Sequence, residues 1–210
     1  MVSICLRFYK RVAAPLLWSL GVLSAFGQGA GSAAIIAPGE GVGTVRLGQT
    51  LEEVHANLGP PKLSDAAMGG RLWEIWRSGS AFENKRQNGS EELEIYYTRE
   101  HPDLSGASIV RQFRVTAPFF RTTSGISIRS SFSQIAYTFP NLRIDEELTY
   151  ALSGERSEKD VEMYVDRIRG IAFEFRNGAA ADPTVAGYCR AIHVFRPGTD
   201  PRIMEAFDQQ

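Results

Sequence analysis

Thr44-Val45-Arg46-Leu47-Gly48-Gln49-Thr50-Leu51-Glu52-Glu53-Val54-His55-Ala56-Asn57-Leu58-Gly59-Pro60 reads as a short strand, a capped helix and a stop. The same grammar returns about 81 positions later in Gly125-Ile126-Ser127-Ile128-Arg129-Ser130-Ser131-Phe132-Ser133-Gln134-Ile135-Ala136-Tyr137-Thr138-Phe139-Pro140-Asn141. Apolar residues coincide at five places: Val45 with Ile126, Leu47 with Ile128, Leu51 with Phe132, Val54 with Ile135, and Leu58 with Phe139. Val45-x-Leu47 alternates with period two, which suits a strand buried on one face. Thr50 and Ser131 are placed to cap the helices, with Glu53 and Gln134 at the reciprocal position of a capping box. Leu51, Val54 and Leu58 fall three and four apart, so they share one helical face. Gly59 and then Pro60-Pro61 end the first helix, and Pro140-Asn141 the second. Two turns of helix are marginal alone, so each needs a sheet to pack on.

Strand-like runs follow each helix. In the first half they are residues 71–76, 93–98 and 109–116; in the second, 148–152, 161–166, 171–176 and 188–195. Leu93, Ile95 and Tyr97 alternate with Glu94 and Tyr96, and Ile171, Phe173 and Phe175 with Ala172, Glu174 and Arg176. One wet and one buried face is the pattern of antiparallel sheets packed on a single side. The polar stretches 78–90, 100–107 and 177–187 read as connecting loops. The expected fold class is therefore α+β: two tandem units, each a short strand, a short capped helix and an antiparallel β-meander. Their expected spans are residues 41–120 and 121–197, with a C-terminal tail over 198–210. Internal repetition at a fixed period is read before any other signal.

The motif Val45-Arg46-Leu47-Gly48-Gln49-Thr50-Leu51-Glu52-Glu53-Val54, with Leu58-Gly59-Pro60-Pro61, resembles the β-lactamase-inhibitor-protein-like fold. It is similar too to the small outer-membrane assembly lipoproteins of bacteria. The second copy departs from the motif, with Arg129 in place of the glycine and Phe139-Pro140 in place of Leu-Gly. With the following strands the resemblance covers about residues 36 to 197. It implies an exported, non-catalytic module that binds protein through a sheet face or loops.

The N-terminus points to the same compartment. Arg7, Lys10 and Arg11 precede a hydrophobic run of 15 residues, 12–26, shorter than the roughly 20 needed to span a bilayer. A basic cluster before a short apolar run is the form of a secretory signal, here residues 1–27, with a site nearer Ala34 as the alternative cleavage point. Residues 28–40 read as a flexible tether by composition. Cys5 precedes the apolar run, where a lipid-bearing cysteine is not expected. Removing three cations from a chain of net charge −1 leaves −4, with Cys189 as the remaining cysteine. One cysteine makes no internal disulfide, so the fold must rest on its core. A balance of 23 Lys+Arg against 24 Asp+Glu argues against a surface built for polyanions.

No familiar catalytic set stands out. Of the three histidines, His193 lies four residues from Cys189. On a strand both would point the same way, a conceivable nucleophile pair; the plainer reading is a buried thiol beside a core-edge histidine. His101-Pro102-Asp103 reads as a turn, and His55 as the wet side of the first helix. Gly39-Glu40-Gly41-Val42-Gly43 lacks the spacing of a phosphate loop. Asn88-Gly89-Ser90 reads as a loop tip. Glu91-Glu92-x-Glu94 and Asp145-Glu146-Glu147 read as solvated acids. Arg111, Arg114, Arg121 and Arg129, the densest basic cluster, have no aromatic platform for nucleic acid.

The aromatics carry the binding expectation. Trp73 and Trp76 lie on opposite faces of a strand over 71–76, which leaves one exposed, with Trp76 the candidate. Tyr96 and Tyr164 oppose the apolar faces of theirs, and an exposed aromatic row on a sheet is what binding hot spots use. The plainer alternative is cross-strand pairing that stabilises the sheet. The functional expectation is an exported bacterial binding module of the cell envelope with a protein partner, no cofactor, no nucleic acid and no stable membrane span. Two rivals remain: an exported hydrolase in which His193 or His101 meets an acid or Cys189, and a carrier holding an apolar molecule between two sheets.

Overall fold

The structure, a computed structural model, describes residues 34–65, 71–77, 92–99, 106–153, 161–176 and 189–202. In chain order its strands are β1 (Ile35–Ala37), β2 (Gly41–Val42), β3 (Val45–Arg46), β4 (Leu63–Asp65), β5 (Arg71–Arg77), β6 (Glu92–Arg99), β7 (Ser108–Val115), β8 (Arg121–Thr122), β9 (Arg143–Ile144), β10 (Val161–Asp166), β11 (Ile171–Arg176) and β12 (Ala191–Phe195). The helices are α1 (Leu51–Leu58), α2 (Phe132–Thr138) and α3 (Glu146–Ser153). The fold is α+β. A four-stranded sheet runs β3-β2-β1-β8, and an eight-stranded sheet runs β4-β5-β6-β7-β12-β11-β10-β9. All pairings in the large sheet are antiparallel; in the small sheet β1 and β8 are parallel.

Both capping boxes form. Thr50 accepts from the Glu53 backbone N–H while the Glu53 carboxylate accepts from the Thr50 N–H, and Ser131 and Gln134 repeat the exchange. Gly59 ends α1 at φ +76°, a conformation glycine adopts without penalty. All five matched apolar pairs enter one core: Val54 and Ile135 are 0% exposed, Val45, Ile126 and Phe139 are buried, and Leu47, Ile128, Leu51, Phe132 and Leu58 pack against them. That core also takes Leu93, Ile95 and Tyr97 of β6, Phe113 and Val115 of β7, Ile171, Phe173 and Phe175 of β11, and Ile192 and Val194 of β12. Both helices thus lie on one face of the large sheet.

Four expectations need correction. Residues 148–152 are not a strand but part of α3. Asp145 accepts from the Leu148 N–H, Glu146 and Glu147 fill the first turn, and Leu148 packs on Met163, Val165, Ala172 and Phe195. An acid-rich start of that kind favours a helix N-terminus. Residues 126–128 make no strand, although Ile126 and Ile128 keep their place in the core. Residues 35–37, assigned to a tether, are β1, where Ile36 is buried between β2 and β8. The expected wet sheet face is also largely buried, for the reason given below. The signal segment, the loops 78–90 and 177–187, and His101 lie outside the described residues. No helix among the described residues is long and apolar enough to cross a membrane.

Candidate functional site

The central polar cluster grows out of strand alternation. Direct cross-strand neighbours share a face, and the ladder Ile75, Glu94, Arg114, His193, Ala172, Val165 crosses the large sheet from β5 to β10. These side chains lie on the face opposite α1 and α2. Arg114 sits at its middle. Its Nε donates to Glu174 Oε1 at 2.8 Å and an η nitrogen to Glu174 Oε2 at 3.1 Å, a bidentate pair, while the other η nitrogen donates to Glu94. His193 Nε2 lies 2.7 Å from Glu174 Oε1, and His193 Nδ1 lies 2.9 Å from Gln112 Nε2.

The amide of Gln112 sets the direction of that chain. Its Oε1 accepts from the Arg202 backbone N–H at 2.6 Å, and its Nε2 donates to the Arg202 carbonyl at 2.9 Å. A backbone N–H only donates and a carbonyl only accepts, so the amide has one orientation. His193 Nδ1 must then accept from Gln112, and the proton sits on Nε2, donated to Glu174.

The electrostatics follow from this geometry. Burial works to raise Glu174, but the Arg114 charge and the His193 hydrogen bond overturn it and hold the carboxyl well below the usual range. Burial raises Glu94; the single contact from Arg114 only partly offsets it, and Glu92 and Glu174 add to the rise. Arg114 loses hydration on burial, yet Glu174 and Glu94 bind its proton more firmly than usual. A charged face can be buried when each group finds partners of this kind, which is why Glu94, Gln112, Glu174 and His193 are all buried.

The nucleophile pair suggested by Cys189 and His193 is not made. Cys189 belongs to the helix-side core, its thiol donates to the Ala191 carbonyl at 3.1 Å, and burial, then the Glu174 charge, raise it. His193 lies on the other face with both nitrogens engaged. His193 does, however, meet an acid, the buried Glu174.

The expected aromatic row is not exposed. Tyr96 is 3% exposed and stacks across the strands on Trp73, ring centroids 5.1 Å apart; Tyr164 is 6% exposed and touches Phe132 and Phe175. Trp76 is half-buried, packs against the core and donates to the Gly59 carbonyl at 3.3 Å. Trp76 and Tyr164 face the helices with Leu93, Val115, Ile192 and Phe173 rather than away from them. Cross-strand and core packing, not display, accounts for all three.

A second polar contact went unread in the sequence. His55, given a wet position, places Nε2 2.8 Å from Oε2 of the buried Glu74, which also accepts from Ser64 at 3.3 Å. The buried Tyr97 hydroxyl is near that carboxylate but outside good hydrogen-bonding geometry; burial, then the Glu74 charge, raise it. The usable signal was Glu74 itself, an acid alternating in phase with Leu72 and Trp76. Among the described residues no group of three or more His, Cys, Asp and Glu side chains is placed to hold a metal ion.

No family model matches the chain. No curated protein matches it either. Among solved structures it is similar to an extracellular protein containing an SCP domain from Bacillus anthracis, at TM-score 0.41 and 9% identity, over 71% of this chain and 44% of that one. The chain thus spans less than half of that protein's length. It is similar also to the uncharacterized protein yfeY from Escherichia coli, at TM-score 0.44 and 13% identity, over 76% of this chain and 99% of that one.

Proposed function

We propose that the chain is an exported, non-catalytic binding module of the bacterial cell envelope, built of two tandem α+β units, with a protein as partner. The observation that carries the non-catalytic part is the closed polar cluster. Arg114, Glu174, His193 and Gln112 spend their hydrogen bonds on one another, on Glu94 and on the Arg202 backbone. A base whose two nitrogens are both occupied holds no lone pair toward a substrate.

The tandem reading draws support from register. Phe113 and Val194 are direct partners across the β7·β12 seam and stand 81 positions apart, as do the caps Thr50 and Ser131. From that pair β7 to β4 run outward on one side and β12 to β9 on the other, the order that two units related by a two-fold axis would give.

With the sheet aromatics buried, the partner-facing surface falls elsewhere. Tyr137 on α2 is 91% exposed, Tyr150 on α3 75%, and Ile168 in the β10–β11 turn 71%. Exposed aromatics supply rigid contact area. The test is capture from an envelope extract with the leaderless chain as bait, beside a Tyr137→Ser/Tyr150→Ser variant. One protein enriched by the parent and lost from the variant is expected; equal capture by both sinks the assignment of the surface, and finding the native chain in the cytoplasm sinks the reading itself.

A hydrolase remains the second reading, on one observation. Glu94 and Glu174 flank Arg114 with pKa values pushed in opposite directions, the division of labour expected of an acid and its ionised partner. Turnover of a peptide, ester or glycoside substrate panel, abolished by both Glu94→Gln and Glu174→Gln, would establish it over the first.

A further inference from the structure

Gln112 joins two things that have no other reason to communicate: the protonation of a buried histidine and the docking of the chain at Arg202. The Gln112 amide meets the Arg202 backbone as a strand edge would, one bond in each direction. Upstream the segment is tied independently. Gly198 donates to the Arg167 carbonyl at 2.8 Å, Asp200 pairs with Arg167 at 2.6 Å, and Pro201 is buried. Among the described residues, the bond pair at Arg202 is therefore the last anchor on a segment fixed upstream as far as Pro201.

We propose that Gln112 and His193 form a proton-operated latch: a second proton on His193 turns the Gln112 amide over and unties the backbone at Arg202. The argument is one of donors and acceptors. A neutral His193 accepts at Nδ1, and Gln112 can serve it and the Arg202 carbonyl with the same NH2 group. An imidazolium carries N–H at both nitrogens, so its Nδ1–H would confront the amide NH2, donor against donor. Turning the amide presents Oε1 to the imidazolium. It also presents NH2 to the Arg202 N–H, again donor against donor. Either His193 or Arg202 is satisfied, not both, and a buried unmet donor is costly.

The charges around His193 decide how readily the proton is taken. From β11, Glu174 favours the imidazolium in direct contact. From β7, Arg114 opposes it, and from β6 Glu94, with Glu92 beside it, offsets part of the Arg114 charge. From β2, Gly41 and Val42 bring no charge. The latch is set by the donors and acceptors at Gln112. It stands independently of the proposed function.

The test is nitrogen NMR on the full chain, following the His193 ring and the Arg202 amide together from about pH 8 to about pH 5. At the upper end the ring proton should be on Nε2 and the Arg202 amide protected from exchange. On acidification the ring should become doubly protonated, and the Arg202 amide should exchange at least about tenfold faster, with a shared midpoint. A ring that titrates while the amide stays protected overturns the latch. So does a ring that stays neutral until the whole chain unfolds. Gln112→Glu sharpens the result, because a carboxylate accepts from both the Arg202 N–H and the imidazolium. In that variant the ring should take its proton at higher pH and the Arg202 amide should lose its pH response. A response equal to the parent's counts against the proposal, and where this variant does not fold the parent titration decides alone.

Discussion

At position 55 the first helix carries a histidine that reaches the buried Glu74 on β5; 81 positions on, the second helix carries Ala136. Its hold on the sheet is aromatic instead. Phe132 meets Tyr164 and Phe175 with ring centroids 4.8 and 5.4 Å apart, and Phe139 meets Phe173 at 5.2 Å. Arg169 adds a cation over the Phe139 ring at 5.2 Å and donates to the Thr138 carbonyl. The cap and the helical spacing recur, while the stop and the fastening differ: α1 ends on Gly59 at φ +76° and α2 on Phe139 at φ −120°. Backbone grammar depends on a few local residue types, so one cap and one spacing serve helices held to the sheet by different side chains.

The largest expected effect tests the aromatic fastening. Phe173→Ala should cost about 4 kcal/mol in denaturant unfolding, because a fully buried ring leaves a cavity. A loss under about 1 kcal/mol would mean that the second half does not depend on its rings. Next comes the seam between the halves. Glu174→Gln should cost about 3 kcal/mol by stranding Arg114 and His193. The sign with pH is fixed. A carboxyl held below its ordinary value contributes stability present above the ordinary range and lost as pH falls through its own pKa. The acid limb of the stability curve should therefore flatten in Glu174→Gln. Glu94, raised instead, contributes stability that is lost as pH rises through its pKa, so Glu94→Gln should flatten the opposite limb.

The polar fastening should be weaker. His55→Ala leaves Glu74 with Ser64 alone and should cost about 1–2 kcal/mol, with faster hydrogen exchange in α1 and unchanged exchange in α2. Equal acceleration in both helices would erase the contrast between the halves. The smallest effect tests what the halves share. Thr50→Ala and Ser131→Ala should each cost about 1 kcal/mol and add in the double variant. A cost at one cap only would break the parallel.

Much of the fold was legible in the sequence because it rests on local signals. Caps, helical spacing and Gly59 are decided within a few residues, and β10 and β11 match the expected limits throughout because their alternation is strict. The misreading at 148–152 has a physical cause: Leu148-Thr149-Tyr150 looks β-like by composition, and the Asp145 cap with two following acids outweighs it. The site was not legible, because it is assembled across strands. Glu94, Arg114, Glu174 and His193 are spread over a hundred residues and meet only through register. Tyr164 was assigned the wrong face, since it points to the helix-side core against Phe132 and Phe175, and Tyr96 was expected at the surface on the assumption that an out-of-phase face is wet. A face carrying mutually satisfied charges need not be.

The seam at Phe113 and Val194 has a consequence for cutting the molecule. The outer strands of the large sheet, β4 and β9, are only three and two residues long, which leaves little open edge to recruit a stranger. The eight-residue β7 is covered on that side by β12 over Gln112 to Val115, and by Gly48 and Gln49 at Val110. A fragment ending near residue 120 would bare β7 from Gln112 to Val115. On the proposed tandem reading, a second copy of that fragment presents what β12 normally supplies, with Phe113 opposite Phe113. Severed halves should thus assemble as symmetric pairs, and a chain opened at the linker carries the means of exchanging its halves with a neighbour.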